Sequence, residues 1–309
     1  MIRIDEAEVE RRLPSLDLVA IVRRALGAAA NGAAGGSVRS AFTSPQSTWF
    51  GAMPAWIGGA QPALGAKLVV AIPSNAARGL PTHRAVIVLF DPETGEPSAW
   101  IEAEAITRER TAAASVLATQ ALAMRPVGAH AILGAGAQGR AHLERFARGG
   151  MIESVAIWSR DRTHAEALAK HALDLGVGVY VADSADDAVA SALVVSTCTA
   201  SAEPLFDANS INDQTHVNAV GACVATHREL PAALIGEAAV TVDDLAAARA
   251  EAGDIVLAVR DGAASWDDVT ELGPVLEGRV EPRNARATVF VSLGLGVEDI
   301  AVATAVARM

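Results

Sequence analysis

A stretch near the middle of the chain, residues 129–147, constrains the fold more than any other. A short apolar run leads into Gly134-Ala-Gly-Ala-Gln-Gly139, and apolar residues at helical spacing follow. A strand, a glycine-rich turn and a helix in this order are the context in which G-x-G-x-x-G indicates a dinucleotide-binding site. Gly134 permits the tight turn, Gly136 lets the backbone approach a pyrophosphate, and Gly139 allows close packing of helix on strand. Because 26 of the 309 residues are glycine, the pattern by itself also fits a turn in another α/β fold.

The composition is that of an acidic globular protein. Half of the residues (51%) are hydrophobic and 20% are charged, and the length allows two domains with ample core. The net charge of −11 argues against nucleic acid or an anionic membrane as the main partner. Two cysteines without metal-binding spacing, and no secretory signal or long apolar run, favour a cytoplasmic protein with no disulfide framework, metal site or membrane span.

The part of the chain before the glycine-rich stretch gives mixed signals. We predict an amphipathic helix over 5–30, strands over 67–73 and 85–90, and a helix over 107–123 that ends before Pro126. A domain boundary is placed there, so that residues 1–125 form an α+β domain that binds substrate and mediates dimerisation.

After this boundary, strand and helix signals alternate. The predicted helices include 163–173 and 228–235, and the predicted strands are 129–133, 154–158, 178–182, 192–197, 216–220 and 239–242. Six strands with intervening helices predict a doubly wound parallel sheet, a Rossmann domain over 126–287, and therefore the α/β class. The last segment, 288–309, has no place in this count, and we expect it to complete the first domain.

The end of the second strand of this sheet indicates which nicotinamide cofactor is bound. NAD-binding units carry an acidic residue there, whereas this chain has Ser159-Arg160-Asp161-Arg162. Arginine offers a bidentate fork for a 2′-phosphate, and serine can donate one more hydrogen bond. We therefore predict a preference for NADP(H). NAD(H) stays possible, because Asp161 could supply the carboxylate if the strand ends later.

Three basic residues of the first domain suggest an anion site. Arg39 lies in a polar turn, Lys67 opens an apolar strand, and Arg110 begins a helix that is otherwise apolar. Each of them alone could extend its charged end to solvent. Together they are typical of a clamp for a carboxylate.

At this point the chain resembles a known family, the ornithine cyclodeaminase/μ-crystallin family, over essentially its whole length. The pair Arg110-Thr-Ala-Ala-Ala-Ser115 and Gly134-Ala-Gly-Ala-Gln138 is specific to that family. The other matching motifs are Met53-Pro54, Gly65-Ala-Lys67, Asn75 with Gly79-Leu-Pro81, Leu89-Phe-Asp91 with Gly95, Asn218-Ala-Val-Gly221, Arg228-Glu-Leu230, Val289-Phe290, Ser292, Gly294 and Asp299.

The resemblance implies roles for particular residues. Arg39, Lys67 and Arg110 match the residues that bind the substrate carboxylate. Met53, of the Met53-Pro54 motif, and Thr111, which follows Arg110, are further predicted substrate-binding residues. Lys67 and Arg110 are the candidate catalytic residues. Lys67 would also hydrogen-bond or protonate the reacting group. The family is typically dimeric through the domain that does not bind nucleotide, so we expect a homodimer.

The cofactor site follows from the glycine-rich turn and the strand ends together with the resemblance. Trp158-Ser-Arg160 is similar to the Trp-Asn-Arg of NADP-binding members, and Cys198 also fits a buried small apolar residue. The predicted cofactor-binding residues are Gly134, Gly136, Ala137, Gln138, Gly139, Ser159, Arg160, Arg162, Thr197, Cys198, Val220, Ser292 and Gly294.

The family includes both cyclodeaminases and reductases, and two substitutions favour a reductase. By the resemblance, cyclodeaminases carry carboxylates at two positions where this chain has Gly51 and Cys223. Neutral residues cannot make charge-assisted bonds to a protonated δ-amine. We therefore expect NAD(P)H-dependent reduction of a small cyclic imino acid, such as pyrroline-2-carboxylate or piperideine-2-carboxylate, or the reverse amino-acid dehydrogenation.

Two other functions stay open. The chain could be an ornithine cyclodeaminase, which forms proline and ammonia with NAD used catalytically, if Asp243, Asp244 or Glu229 replaced the missing carboxylates. Glu229 also suits the first turn of a helix, and Asp243-Asp244 suits a turn after a strand. The chain could instead be a binding protein of μ-crystallin type that holds NADPH and a small carboxylate.

Overall fold

The structure, a computed structural model, describes residues 1–75 and 77–309 throughout and the backbone of residue 76. It divides into two compact units, residues 1–110 with 294–309 and residues 111–293. The predicted domain ranges were 1–125 with 288–309 and 126–287, and the roles assigned to the two domains stay predictions.

Strands and helices are distributed along the whole chain. The strands are β1 (Ile2–Ile4), β2 (Ala34–Gly36), β3 (Ser40–Thr43), β4 (Trp49–Ile57), β5 (Ala63–Ala71), β6 (His83–Phe90), β7 (Pro97–Glu102), β8 (Gly128–Leu133), β9 (Ile152–Trp158), β10 (Gly178–Val181), β11 (Val194–Thr197), β12 (His216–Ala219), β13 (Ala239–Val242), β14 (Val269–Glu271) and β15 (Thr288–Val291). The α-helices are α1 (Glu6–Arg12), α2 (Leu18–Ala30), α3 (Glu104–Leu122), α4 (Ala137–Arg148), α5 (Arg162–Asp174), α6 (Ala185–Val189), α7 (Ala232–Glu237), α8 (Leu245–Glu251), α9 (Gly253–Arg260), α10 (Leu272–Leu276) and α11 (Gly296–Ala307). Short 3-10 helices span Leu13–Ser15, Pro73–Arg78, Ala208–Ser210 and Trp266–Asp268.

The first unit is built on a mostly antiparallel sheet with the strand order β1-β7-β6-β5-β4-β2, and β3 also pairs with β4. Helix α11 packs against β4, β5 and α2. On β4, the buried residues Gly51, Met53 and Ala55 alternate with more exposed ones. This period of two puts one face of the sheet in the core.

The predicted helix over 5–30 is wrong in its continuity. The chain forms α1, a 3-10 turn at Leu13–Ser15 and then α2, because Pro14 cannot continue the hydrogen-bond ladder of an α-helix. Asp5 and Asp17 cap the two helices by accepting hydrogen bonds from backbone N–H groups.

The second unit contains a wholly parallel sheet with the order β10-β9-β8-β11-β12-β15-β13-β14. This doubly wound arrangement confirms the predicted α/β class. The chain runs outward from β8 to one side and from β11 to the other, so the order reverses between them. Ligands of such sheets bind at the carboxyl ends of the strands beside that reversal.

Two predictions in this region are wrong. Strand β15 was expected to return to the first domain, but it pairs with β12 and β13 inside the parallel sheet. Its run Val289–Val291 is buried, as is usual for a strand covered on both faces. The helix predicted over 228–235 begins only at Ala232, after Pro231.

Among the described residues, none of the helices is long and apolar enough to cross a membrane.

Candidate active site

Neighbouring strands of the first unit bring the predicted substrate residues together. Met53 on β4 pairs with Lys67 on β5, and Arg39 directly precedes β3, whose Ser40 pairs with Ala52 of β4. Because side chains alternate between faces, this register aligns Arg39, Met53 and Lys67 in one row on the same face. Met53 and Lys67 are buried, with 5% and 2% of their surfaces exposed.

Lys67 is the centre of a buried ionic cluster. Its Nζ lies 2.6 Å from Oδ2 of Asp299, whose Oδ1 accepts a hydrogen bond of 2.9 Å from Nε of Arg110. Nη1 of Arg110 donates to Glu298 at 3.1 Å. All of these side chains are buried. The cluster therefore holds a lysine from the middle of β5 and an arginine from α3 against two carboxylates of α11.

Burial has the largest effect on the protonation of Lys67. Burial lowers the pKa of Lys67, the Asp299 carboxylate raises it and Arg110 lowers it, which leaves a net value of about 8. Burial by itself would raise the pKa of Asp299, yet Arg110 and Lys67 together hold that pKa below its ordinary value. Lys67 is thus a cation at neutral pH, and it releases its proton at a pH only slightly above neutrality.

Helix α11 supplies both acids of this cluster. Glu298 and Asp299 lie in its first turn, where carboxylates are favoured by the helix dipole, and Glu298 also accepts a hydrogen bond from the N–H of Leu295. Gly294 has φ of +74°, and a Cβ there would lie 2.1 Å from Nη1 of Arg110. Only glycine therefore leaves room for the guanidinium.

These observations change what is assigned to the C-terminal segment. Gly294, predicted to bind cofactor, belongs to the first unit and lies against Arg110, and its contact with cofactor stays a prediction. Asp299 was expected only as a motif residue, and no role was predicted for Glu298. The available signal was a pair of acids at the start of an otherwise apolar helix.

The glycine-rich turn of the second unit lies between β8 and α4. Gly134 has φ of +107°, and a Cβ on Gly139 would lie 1.9 Å from the carbonyl oxygen of Gly134. This contact is the close packing of helix on strand for which a glycine is needed. A Cβ on Gly136, the N-cap of α4, would meet nothing within 4 Å, which leaves open space in front of the helix. The Oε1 atom of Gln138 is buried and has no hydrogen-bond partner among the described residues.

A cavity of about 770 Å³ opens at this turn. It lies at the carboxyl ends of β8, β9 and β11, on the side of the sheet where such folds bind nucleotides. The cavity is lined by Gly134, Ala135, Gly136, Trp158, Ser159, Arg160, Asp161, Arg162, His164, Cys198, Thr199, Ala200, Ser201 and Leu205. The open space at Gly136, before the N-terminus of α4, fits a dinucleotide with its pyrophosphate over the start of that helix.

The four residues that follow β9, residues 159–162, differ in the contacts that their side chains make. Asp161 caps α5 and accepts hydrogen bonds from N and Oγ1 of Thr163, at 2.9 and 2.6 Å. Arg162 forms ion pairs with Asp183 and Glu166 at 2.7 and 3.1 Å. Ser159 and the exposed Arg160 also line the cavity, and neither of them is the residue that caps α5.

Glu229 connects the loops that follow β11 and β12. This buried carboxylate accepts hydrogen bonds from Oγ1 of Thr197, from N and Oγ1 of Thr199, and from N of Gly221, at 2.5 to 2.8 Å. The N–H groups of Glu229 and Leu230 in turn donate to Oδ1 of Asp254, both at 2.8 Å. Burial raises the pKa of Glu229 and brings that of Asp254 to about 7. This positioning role of Glu229 was not predicted from the sequence.

The remaining predicted cofactor residues lie along the same strand ends. The N–H of Val220 donates to the carbonyl of Thr197 at 3.0 Å, and Cys198, a free cysteine, donates its N–H to Leu133 at 2.7 Å. The hydroxyl of Ser292, just after β15, is buried and has no hydrogen-bond partner among the described residues.

The other acids considered in the sequence are engaged in structural hydrogen bonds. Asp243 accepts a hydrogen bond of 2.7 Å from the N–H of Leu293, and Asp244 caps α8 through the N–H of Ala247 at 2.7 Å. Together with Glu229, these carboxylates hold the backbone at the ends of the parallel strands.

Comparison with known proteins agrees with this geometry. Residues 2–308 match the ornithine cyclodeaminase/mu-crystallin family. Ketimine reductase mu-crystallin of Mus musculus is 37% identical over 257 residues, which cover 82% of this chain and 78% of that protein.

Two solved structures have the same fold. Thermococcus litoralis Δ1-pyrroline-2-carboxylate reductase, in complex with NADH and L-proline, has a TM-score of 0.95 at 28% identity and covers 100% of this chain and 97% of its own. An archaeal alanine dehydrogenase dimer with bound NAD has a TM-score of 0.92 at 29% identity, with 100% and 95% covered. The chain therefore belongs to the ornithine cyclodeaminase/mu-crystallin family.

Proposed function

We propose that this protein reduces a small cyclic imino acid, of the pyrroline-2-carboxylate or piperideine-2-carboxylate type, to the cyclic amino acid with NAD(P)H. The reverse amino-acid dehydrogenation is the same reaction in the other direction. The observation that carries this proposal is the buried cluster of Lys67, Arg110, Glu298 and Asp299. The activities named for the relatives, ketimine reduction and pyrroline-2-carboxylate reduction, agree with it.

The charge of the cluster suits a carboxylate ligand. Arg39, Lys67 and Arg110 contribute three positive charges, and Glu298 and Asp299 contribute two negative ones. A carboxylate ligand makes charge-assisted hydrogen bonds with such arginine and lysine side chains. Met53 and Thr111 also contact the substrate in this proposal.

The proton for the imine nitrogen comes from Lys67. Its ammonium is protonated at neutral pH, and its lowered pKa makes proton transfer easier than from an exposed lysine. Asp299 and Arg110 hold the lysine in place. The nicotinamide, when bound, supplies the hydride that reduces the imine carbon.

The cofactor is held by the second unit. The start of α4, with Ala137 and Gln138, binds the pyrophosphate, and Thr197, Cys198, Val220 and Ser292 lie toward the nicotinamide end. Gly294, also predicted to bind cofactor, makes room for Arg110.

NADP(H) is the preferred cofactor in this proposal. Ser159 and Arg160 bind the 2′-phosphate, because Asp161 is committed to capping α5 and Arg162 to two acids. Two solved relatives hold NADH and NAD, so the choice requires direct measurement.

We further propose that the protein is a homodimer that acts in the cytoplasm, where Cys198 and Cys223 stay reduced. The archaeal alanine dehydrogenase dimer supports the assembly. Light scattering coupled to size-exclusion chromatography tests it.

The test of the reaction is NADPH oxidation with pyrroline-2-carboxylate and piperideine-2-carboxylate, followed by the absorbance of the reduced nicotinamide. A parallel assay measures ammonia release from ornithine with NAD. We expect NADPH consumption and no ammonia. Ammonia without net change of cofactor would instead establish a cyclodeaminase, and no turnover in either assay would favour a binding protein.

A further inference from the structure

The indole of Trp49 occupies the space that a side chain at residue 51 would fill. A Cβ built on Gly51 would lie 2.3 Å from Cη2 of Trp49 and 2.9 and 3.0 Å from Cζ3 and Cζ2. Trp49 and Gly51 are two residues apart on β4 and therefore point to the same face of the sheet. The benzo edge of the indole thus lies over the glycine.

This edge lies beside the proposed carboxylate site. Met53 is two residues further along the same face of β4 and pairs with Lys67. Arg39 lies on the other side of Met53, and its Cζ is 5.8 Å from the centroid of the Trp49 ring. The guanidinium of Arg39 therefore lies over the face of the indole, whereas the edge of the indole covers Gly51.

The charge distribution of an aromatic ring means that this orientation of Trp49 discriminates between cationic and apolar groups of a ligand. The face of the ring carries partial negative charge and attracts the guanidinium of Arg39, whereas the edge carries partial positive charge. A cationic group placed beside Gly51 would meet this positive edge together with the charge of Arg39. An apolar group would pack against carbon atoms there.

We propose that Trp49 determines substrate specificity: it admits amino and imino acids with an uncharged, compact side chain and rejects those with a distal ammonium group. This inference rests on the proposed function, because it takes Arg39, Met53 and Lys67 as the row that holds the substrate carboxylate. Trp49 acts in two ways, by filling the space at Gly51 and by orienting Arg39.

The experiment compares the dissociation constants of L-proline and L-ornithine by titration calorimetry on the full chain saturated with NADP⁺. The variants are Trp49→Ala and, as a matched control, Trp56→Ala. Trp56 is on the same strand but at an odd spacing from Trp49, so it lies on the opposite face, and it is 45% exposed. If Trp49→Ala does not unfold cooperatively, and is therefore not properly folded, Trp49→Leu replaces it. This variant keeps an apolar side chain but removes the ring.

We expect the unaltered protein to bind proline at least about tenfold more tightly than ornithine, the scale of discrimination by one shaped pocket. Trp49→Ala should shrink this ratio about tenfold, and Trp56→Ala should leave it unchanged. A ratio for Trp49→Ala within about twofold of the original would overturn the proposal, as would an equal change in Trp56→Ala. Failure of the proposed reduction is a separate result, since it is seen as absent NADPH oxidation while the ratio of binding constants is still measured.

Discussion

Lys67 combines deep burial with a carboxylate partner, and its proton is therefore sensitive to pH near neutrality. Its pKa of about 8 is below the ordinary value, so the protonated form is lost as the pH rises through about 8. If the protonated form donates to the imine, kcat/KM should be level below this pH and decline about tenfold per unit above it. A pH profile of NADPH oxidation measures the effect.

Removing this amine should cost more than changing its protonation. Lys67→Ala is expected to lower kcat about 10²- to 10⁴-fold, because general acid catalysis contributes about that much. The matched control is Lys170→Ala, an exposed lysine of α5 that should leave kcat unchanged. Full turnover in Lys67→Ala would remove the lysine from the mechanism.

Arg160 is the residue on which the cofactor preference depends. Arg160→Ala should raise the KM for NADPH about tenfold or more and leave the KM for NADH unchanged. Only NADPH carries a 2′-phosphate, and the variant removes the contact between that phosphate and Arg160. Arg162→Ala is the informative comparison, since Arg162 is paired with Asp183 and Glu166. If Arg162→Ala shows the larger effect, the two arginines have been assigned the wrong way round.

At the scale of elements, Glu229 joins the loops after β11 and β12 through four hydrogen bonds. Glu229→Gln keeps the size of the side chain but replaces one accepting oxygen by a donor. We expect it to lower the free energy of unfolding by about 1.5 to 3 kcal/mol, the value of hydrogen bonds to a charged group. Urea unfolding measures this loss, and Glu237→Gln, on the exposed end of α7, provides the control. An unchanged midpoint for Glu229→Gln would mean that the loops are held by other contacts.

Most of the helices, strands and turns that could be predicted were predicted from sequence patterns of neighbouring residues. The glycine-rich turn, the parallel sheet and the basic residues of the first unit were visible because each depends on residues close in sequence. Strand β15 was misplaced because a short apolar run has the same pattern wherever it pairs. Glu298 was missed because its partner, Arg110, is 188 residues away, and no local signal reports such a contact.

For the whole molecule, three buried histidines predict sensitivity to acid. Burial lowers the pKa of His130 to about 3 and those of His142 and His216 to about 4. In the unfolded chain these groups regain pKa values near 6.5, so unfolding takes up protons below that pH and stability falls as the pH decreases through it. Asp254, with its pKa raised to about 7, and Glu229, whose pKa is raised by burial, act in the opposite direction and offset part of this effect.

The melting temperature should therefore drop between pH 7 and pH 5, by an amount equivalent to about 2 kcal/mol for each buried histidine. Differential scanning calorimetry measures this slope. His142→Gln should reduce the slope, whereas substitution of the exposed His164 should leave it unchanged. A melting temperature that is level over this range would contradict the protonation states described above.

During synthesis on a ribosome, Asp299 emerges 189 residues after Arg110, the side chain that it holds. Until then the sheet of the first unit lacks α11, and Lys67 and Arg110 lack their carboxylates. Burying these cations without a counter-charge is strongly unfavourable, so that sheet cannot close early. Residues 111–293 are complete before α11 appears. Residues 111–293 are thus able to fold first, whereas residues 1–110 complete their fold only after residues 294–309 have been synthesised.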